Sequence, residues 1–190
     1  MKSILVMIVL GILLPGWVPA ADEFQFGGGI QSSVLSYNQD ELDTSRLFWG
    51  GHARVRAMKY LGGEFSVQWR EDNFNIHDGN IKLQTTPLQL SGMVYPLGMF
   101  SVTPYFIAGI GWYHLTATVT GDLGLPYVTG EGTIKHTETA GHIGIGVEAF
   151  IGDHFSMGAD VRKVFLEFNT PIISYKVDAY FVNIGATFYF

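Results

Sequence analysis

The chain has 190 residues, of which 15% are charged and 14% aromatic, with 24 glycines and a formal net charge of −6. Ordinary soluble domains carry about 25% charged residues and about 7% glycine, and the mean hydropathy here is +0.22. With no basic stripe and no cysteine, the sequence argues against nucleic acid as a partner and excludes disulfide, thiolate-metal and thiol chemistry.

The first element is an export signal over residues 1–20. Lys2 gives a positive start, residues 4–14 an apolar core, and Pro15-Gly16 a break before Val18-Pro19-Ala20, where a signal peptidase would cut. As a helix that core rises only about 16 Å, about half the roughly 30 Å of a bilayer interior. Residues 21–190 then form one domain. No apolar run in it reaches the roughly 18 residues of a spanning helix. A chain this apolar without such a helix points to a transmembrane β-barrel.

Period-two patterning predicts eight strands near 23–36, 46–59, 61–69, 81–95, 100–116, 137–151, 155–168 and 177–190. In the third, Leu61, Gly63, Phe65, Val67 and Trp69 oppose Gly62, Glu64, Ser66 and Gln68. In the sixth, Ile143, Ile145, Val147, Ala149 and Ile151 oppose His142, Gly144, Gly146, Glu148 and Phe150. In the eighth, Tyr180, Val182, Ile184, Ala186, Phe188 and Phe190 alternate with Phe181, Asn183, Gly185, Thr187 and Tyr189. Both faces of the fifth are apolar, and Phe106, Ala108, Ile110 and Trp112 are taken as outward. The expected fold is all-β: an eight-stranded antiparallel up-and-down barrel with its apolar face in lipid.

The connections alternate in length. Tight ones fall around Tyr60, at Pro96-Leu97-Gly98 and at Gly152-Asp153-His154; longer ones fall at 37–45, 70–80, 117–136 and 169–176. Short turns on one side and long loops on the other is the outer-membrane pattern, with the short side and both termini periplasmic. The first three long loops carry Asp40, Glu41, Asp43, Glu71, Asp72, Asp78, Asp122 and Glu131 against only Arg70 and Lys135. Solvation explains these acids, and cation bridging to lipopolysaccharide or attraction of a basic partner is compatible with them. A soluble lipocalin-like barrel is the rival fold and requires apolar side chains inside.

If the more polar face points inward, the lumen receives His52, Arg54, Arg56, Glu64, Gln68, Glu148, Asp160 and Arg162. Three cations (Arg54, Arg56, Arg162) then balance three anions (Glu64, Glu148, Asp160), as buried charges must. A turn near Tyr60 sets Glu64 opposite Met58 and diagonal to Arg56. Such a network would plug a barrel whose bore is only wide enough for its own side chains. Gly27, Gly29, Gly50, Gly109, Gly111, Gly144, Gly146, Gly158 and Gly185 mostly face inward in this register and make room for larger groups. Gly27-Gly28-Gly29 is no phosphate loop, since no helix follows it.

The terminal pattern Asn183-x-Gly185-x-x-Phe188-x-Phe190 resembles the insertion signal of bacterial outer-membrane barrels, which implies recognition by the barrel-assembly machinery. Tyr60-Leu61-Gly62-Gly63-Glu64, Pro104-Tyr105-Phe106-Ile107-Ala108-Gly109-Ile110-Gly111 and Ala159-Asp160-Val161-Arg162 are similar to stretches of small eight-stranded outer-membrane barrels of the OmpW and opacity-protein-like group. That resemblance implies passage or binding of small, often hydrophobic, molecules, or surface interaction, in a porin-like membrane protein. OmpW-like barrels are associated with an apolar lumen opening toward the bilayer, and the polar lumen read here departs from that.

Enzyme chemistry fits poorly. Outer-membrane deacylases use a His-x-Ser pair at the outer end of a strand. His154-Phe155-Ser156 falls beside a short turn instead, and the outer end of its strand carries Lys163, Val164 and Phe165. The palmitoyl-transferring barrel has an amphipathic helix before strand one, for which Ala21 and Asp22 leave no length. His136, Glu138 and His142 share a face but span about 20 Å, too far for one ion. The sequence therefore points to no cofactor, no metal and no catalytic site. Its first reading is a structural or binding barrel with restricted small-molecule passage. An adhesion or host-interaction barrel acting through its outer loops is the alternative, and a lipid A-modifying enzyme a distant third.

Overall fold

The computed structural model describes residues 24–37, 46–76, 78–98, 100–122, 132–169 and 174–190; the expected export signal and Asp40, Glu41, Asp43 and Glu131 lie outside them. Eight strands follow in chain order: β1 (Gln25–Tyr37), β2 (Arg46–Ala57), β3 (Leu61–Ile76), β4 (Asp78–Val94), β5 (Val102–Asp122), β6 (Gly132–Ile151), β7 (Phe155–Asn169) and β8 (Ser174–Tyr189). Each pairs antiparallel with the next, and β1 pairs with β8 from Gly27↔Tyr189 to Tyr37↔Ala179, closing the sheet into a barrel. Closure removes sheet edges from the belt, so backbone N–H and C=O groups find partners without water. This is the eight-stranded all-β barrel that the alternation implies.

The faces follow strand parity. Ile143, Ile145, Val147 and Ile151 of β6 point out and are exposed, whereas His142, Glu148 and Phe150 are buried inside. On β5, Phe106, Ala108, Ile110 and Trp112 lie on the outer face, while Tyr105, Ile107 and Tyr113 are buried in the bore. The outer surface is thus apolar, the reverse of a soluble barrel.

Three tight turns close one end. Gly98 and Gly152 take positive φ of 76° and 67°, a conformation that costs glycine nothing. The turn at 58–60 uses Met58 at φ 65° and closes in three residues, so Ala57 pairs with Leu61. Glu64 therefore stands opposite Arg54, not Met58. This four-residue shift of partner is even, so it leaves every side chain on its expected face, but it changes the cross-strand partner.

At the other end, the described residues of the loops expected at 70–80 and 117–136 are strand. Pairing of β3 with β4 runs out to Ile76↔Gly79, and pairing of β4 with β5 to Asp78↔Asp122. Among the described residues β2 joins β3 only from Trp49↔Trp69, and β6 joins β7 only from Gly141↔Phe165. The ends of β3 to β6 consequently project as a four-stranded sheet. Its polarity is inverted: Phe74, Ile81, Leu83, Leu115, Ala117, Val119 and Ile134 continue the lumenal face, and Asn73, Asn75, Lys82, Thr116, Thr118, Thr133 and Thr137 continue the lipid face. Alternation persists with its sign reversed, so a reading that equates apolar with lipid-facing stops the strands too early. Lys82, which that reading placed below the loop, pairs with Glu71 at 2.9 Å, and Arg70 pairs with Asp72 at 2.5 Å. The hydrogen bond from Lys82 holds the Glu71 carboxyl below its usual range.

Two inward glycines show how tightly the bore is filled. A Cβ on Gly146 would lie 2.4 Å from Tyr105 Cζ and 2.7 Å from Asp160 Cβ, and one on Gly29 would lie 2.5 Å from His52 Nε2. Gly146→Ala is expected to destabilise the barrel by about 1–3 kcal/mol through overpacking, read as a lower urea midpoint in lipid vesicles.

Candidate functional site in the barrel lumen

Parity and register bring Asp160, Arg162, Glu64, Arg54, Glu148 and Arg56 into one buried group, with Arg162 and Glu148 at 0% exposure. They form an alternating chain. Arg162 grips Asp160 through Nε at 2.7 Å and Nη2 at 3.0 Å, and its Nη2 also reaches Glu64 Oε1 at 2.8 Å. Arg54 grips Glu64 Oε2 through Nε at 2.8 Å and Nη2 at 2.7 Å, and its Nη1 donates to Glu148 Oε1 at 3.2 Å. Arg56 ends the chain, with Nη2 3.8 Å from Glu148 Oε1. Bidentate, charge-assisted bonds of this kind are the strong ones, and they offset the cost of removing six charges from water.

Neutral groups complete the carboxylates. Glu148 accepts from Tyr95 at 2.8 Å, Tyr189 at 2.9 Å and Ser156 at 2.6 Å. Asp160 accepts from Tyr105 at 2.9 Å and Asn183 at 2.7 Å, and Ser33 bonds Asn183 in turn. Arg162 Nη1 donates to Gln89, whose amide donates to Tyr113 at 3.1 Å. A search for charges alone misses these tyrosines and amides; their inward parity is the sequence signal that finds them.

The lumen holds apolar layers beside its polar groups. Leu35, Phe48, Tyr113, Ala140, Val164, Ala179 and Phe181 form an apolar layer on the side of the projecting sheet, with Phe48 and Phe181 rings 5.7 Å apart. Met93, Tyr95, Tyr105 and Ile107 form a second cluster. These residues also lie at lumenal parity, where an eight-stranded bore needs volume as well as charge. His52 bonds Thr187 and His142 bonds Ser91, both at 2.8 Å, while Gln68 reaches Asn183 at 3.4 Å. Gln31 Nε2, His52 Nδ1, Ser66 Oγ, Gln68 Oε1 and His142 Nδ1 are buried without a hydrogen-bond partner among the described residues. Internal water is the usual partner of such groups.

The other candidates separate. His136 bonds Glu138 at 3.1 Å while His142 bonds Ser91, and no trio of His, Cys, Asp or Glu among the described residues could hold a metal. Ser156 donates to Glu148, whereas His154 Nδ1 donates to the Tyr189 carbonyl at 3.0 Å; the histidine and the serine do not pair with each other. At the C-terminus, Phe188 and Phe190 lie exposed on the lipid side, and Asn183 is buried against Asp160.

An apolar outer belt, a closed ladder and a filled bore define a small transmembrane β-barrel. The chain belongs to the outer membrane protein beta-barrel domain family, whose model matches residues 7–190, and its setting is the bacterial outer membrane. No curated protein matches it by sequence. Among solved structures it is similar to Neisserial surface protein A (NspA), with 12% identity over 88% of this chain and 97% of that one and a TM-score of 0.54. It is similar to Ail, the attachment invasion locus protein of Yersinia pestis, with 14% identity, the same coverages and a TM-score of 0.54. For OprG from Pseudomonas aeruginosa the identity is 14%, the coverages 91% and 98%, and the TM-score 0.54. At these identities the likeness speaks for the fold.

Proposed function

We propose that the protein is a closed, non-catalytic outer-membrane barrel that serves as a rigid mount for its projecting hairpins. The observation that carries this is the unbroken run of ion pairs across the bore, from Asp160 to Glu148, backed by the apolar layer around Phe48 and Phe181. Solute passage through such a lumen requires charge pairs to part, so it is restricted. The short turns and both termini lie on the periplasmic side in this reading, supported by the contrast between three tight turns and the long β3–β4 and β5–β6 hairpins. Asn183, Gly185, Phe188 and Phe190 serve as the assembly signal, with the two aromatics offered to the machinery from the lipid face. Planar-bilayer recording tests the closed lumen: the wild-type protein should give no discrete conductance steps, and an open wild-type channel would refute it.

Adhesion is the second reading. It is supported by the projecting sheet, whose lumen-side face leaves Phe74 and Ile134 exposed, at 44% and 70%, beyond the level where β2 and β7 pair. Exposed apolar surface of that kind marks interaction sites. Grafting residues 70–86 and 113–139 onto an unrelated eight-stranded barrel should carry surface binding with them; binding that stays with the original barrel wall would count against it.

A further inference from the structure

The chain of charges ends on a cation whose Nε–Nη2 edge is buried without a hydrogen-bond partner among the described residues. Arg54 and Arg162 each hold a carboxylate with the Nε–Nη2 edge of the guanidinium. The same two nitrogens of Arg56 have no hydrogen-bond partner among the described residues, although the side chain is only 3% exposed. Nη1 is engaged by Gln25 Oε1 at 3.1 Å. The rings of Phe150 and Tyr189 flank the guanidinium, with centroids 3.9 and 3.6 Å from Cζ. Glu148 Oε1 stands 3.8 Å from Nη2, beyond hydrogen-bond reach, and already accepts from Arg54, Ser156 and Tyr189.

We infer that the Nε–Nη2 edge of Arg56 is a docking point for one oxyanion group, a carboxylate or phosphate carried by a small solute that enters from the tight-turn end of the barrel. Position supports this. Arg56 immediately precedes Ala57, the last residue of β2, Phe150 precedes the last residue of β6, and Tyr189 is the last residue of β8, so the clamp lies at the mouth. Two buried, unsatisfied donors on a cation are costly, and an oxyanion with two oxygens answers both in parallel. The aromatic walls displace water and strengthen the contact. Behind it, Glu148 and Arg54 close the bore, so the ligand stops at the clamp. Lysine at 56 would keep the charge but lose the planar fork.

The test is an NMR titration of the arginine Nε–Hε resonances of the intact barrel with sodium phosphate and, separately, sodium acetate, at ionic strength held constant with chloride. The Arg56 resonance, assigned by its loss in Arg56→Lys or, if that variant does not assemble, Arg56→Gln, should shift saturably while those of Arg54 and Arg162 stay in place. A shift with acetate alone identifies a carboxylate site, one with phosphate alone a phosphate site, and one with both a general oxyanion site; each supports the inference. Calorimetry should show at least tenfold weaker binding to Arg56→Lys. A wild-type Arg56 resonance that follows both salts no further than it follows chloride would overturn it.

Discussion

Glu64→Gln is expected to lower the stability of the folded barrel by about 3–5 kcal/mol, the cost of breaking a buried ion pair from one side. Glu64 is the centre of the charge chain: one oxygen takes Arg54 and the other Arg162, both within 2.8 Å. Glutamine keeps the volume, so no cavity confuses the result, but it offers a single acceptor to two guanidinium ions. The barrel should unfold at a lower urea concentration in vesicles and lose its heat-modifiable mobility on a gel at a lower temperature. Its bore should also begin to conduct, because the pairs that block it loosen; Glu148→Gln should do the same by weakening the links that Arg54 Nη1 and Arg56 make to it. Glu71→Gln, on the projecting hairpin, removes an exposed pair with Lys82 and should leave the midpoint where it is. Equal midpoints for Glu64→Gln and the wild type would mean that the lumenal pairs carry no net stability.

The second large effect tests the outer wall. Ile145 points away from the bore and is 62% exposed, and arginine there would meet acyl chains at a cost of about 2–4 kcal/mol near the bilayer midplane. Thr137, on the same face of the same strand but in the projecting sheet, already has polar neighbours: His114 across from it, and Lys135, Thr139 and Thr116 beside it. Thr137→Arg should therefore fold at the wild-type midpoint. The pair of variants brackets the membrane rim along β6, and matching penalties at both positions would show that the polarity inversion does not mark it.

Much of this was legible in the residues. The alternation of Ile143, Ile145 and Val147 with His142, Gly144 and Gly146 defines both faces of β6, and β8 reads as clearly, because lipid selects one side and the narrow bore the other. The projecting sheet was only partly legible as strand: the expected fourth and fifth strands include Ile81 and Leu115, whereas Phe74, Val119 and Ile134 fall in expected loops. These keep period two, but their apolar members fall on the lumenal side, and a rule built on lipid contact cannot follow them past the rim. The Arg54–Glu64 partnership was also hidden, because it depends on Met58 taking a left-handed turn that only its backbone reveals. The expectation of a polar lumen followed charged residues and passed over Phe48, Phe181 and Ile107, whose parity places them inside with equal force. Asn183 was legible as one part of the terminal pattern; its hydrogen bond to Asp160 joins that strand to the charge chain and needed the register of β7 against β8.

Isoleucine methyl NMR in acyl-chain-protonated bilayers tests the central arrangement most directly. Ile30, Ile110, Ile143, Ile145, Ile151 and Ile184 are 46–74% exposed on the outer wall, while Ile107 is 2% exposed in the bore. The six outer residues should show cross-peaks to lipid methylenes and Ile107 should show none. Lipid contact at Ile107, or its absence from the outer six, would contradict a barrel that turns its apolar wall to the membrane and its charges inward.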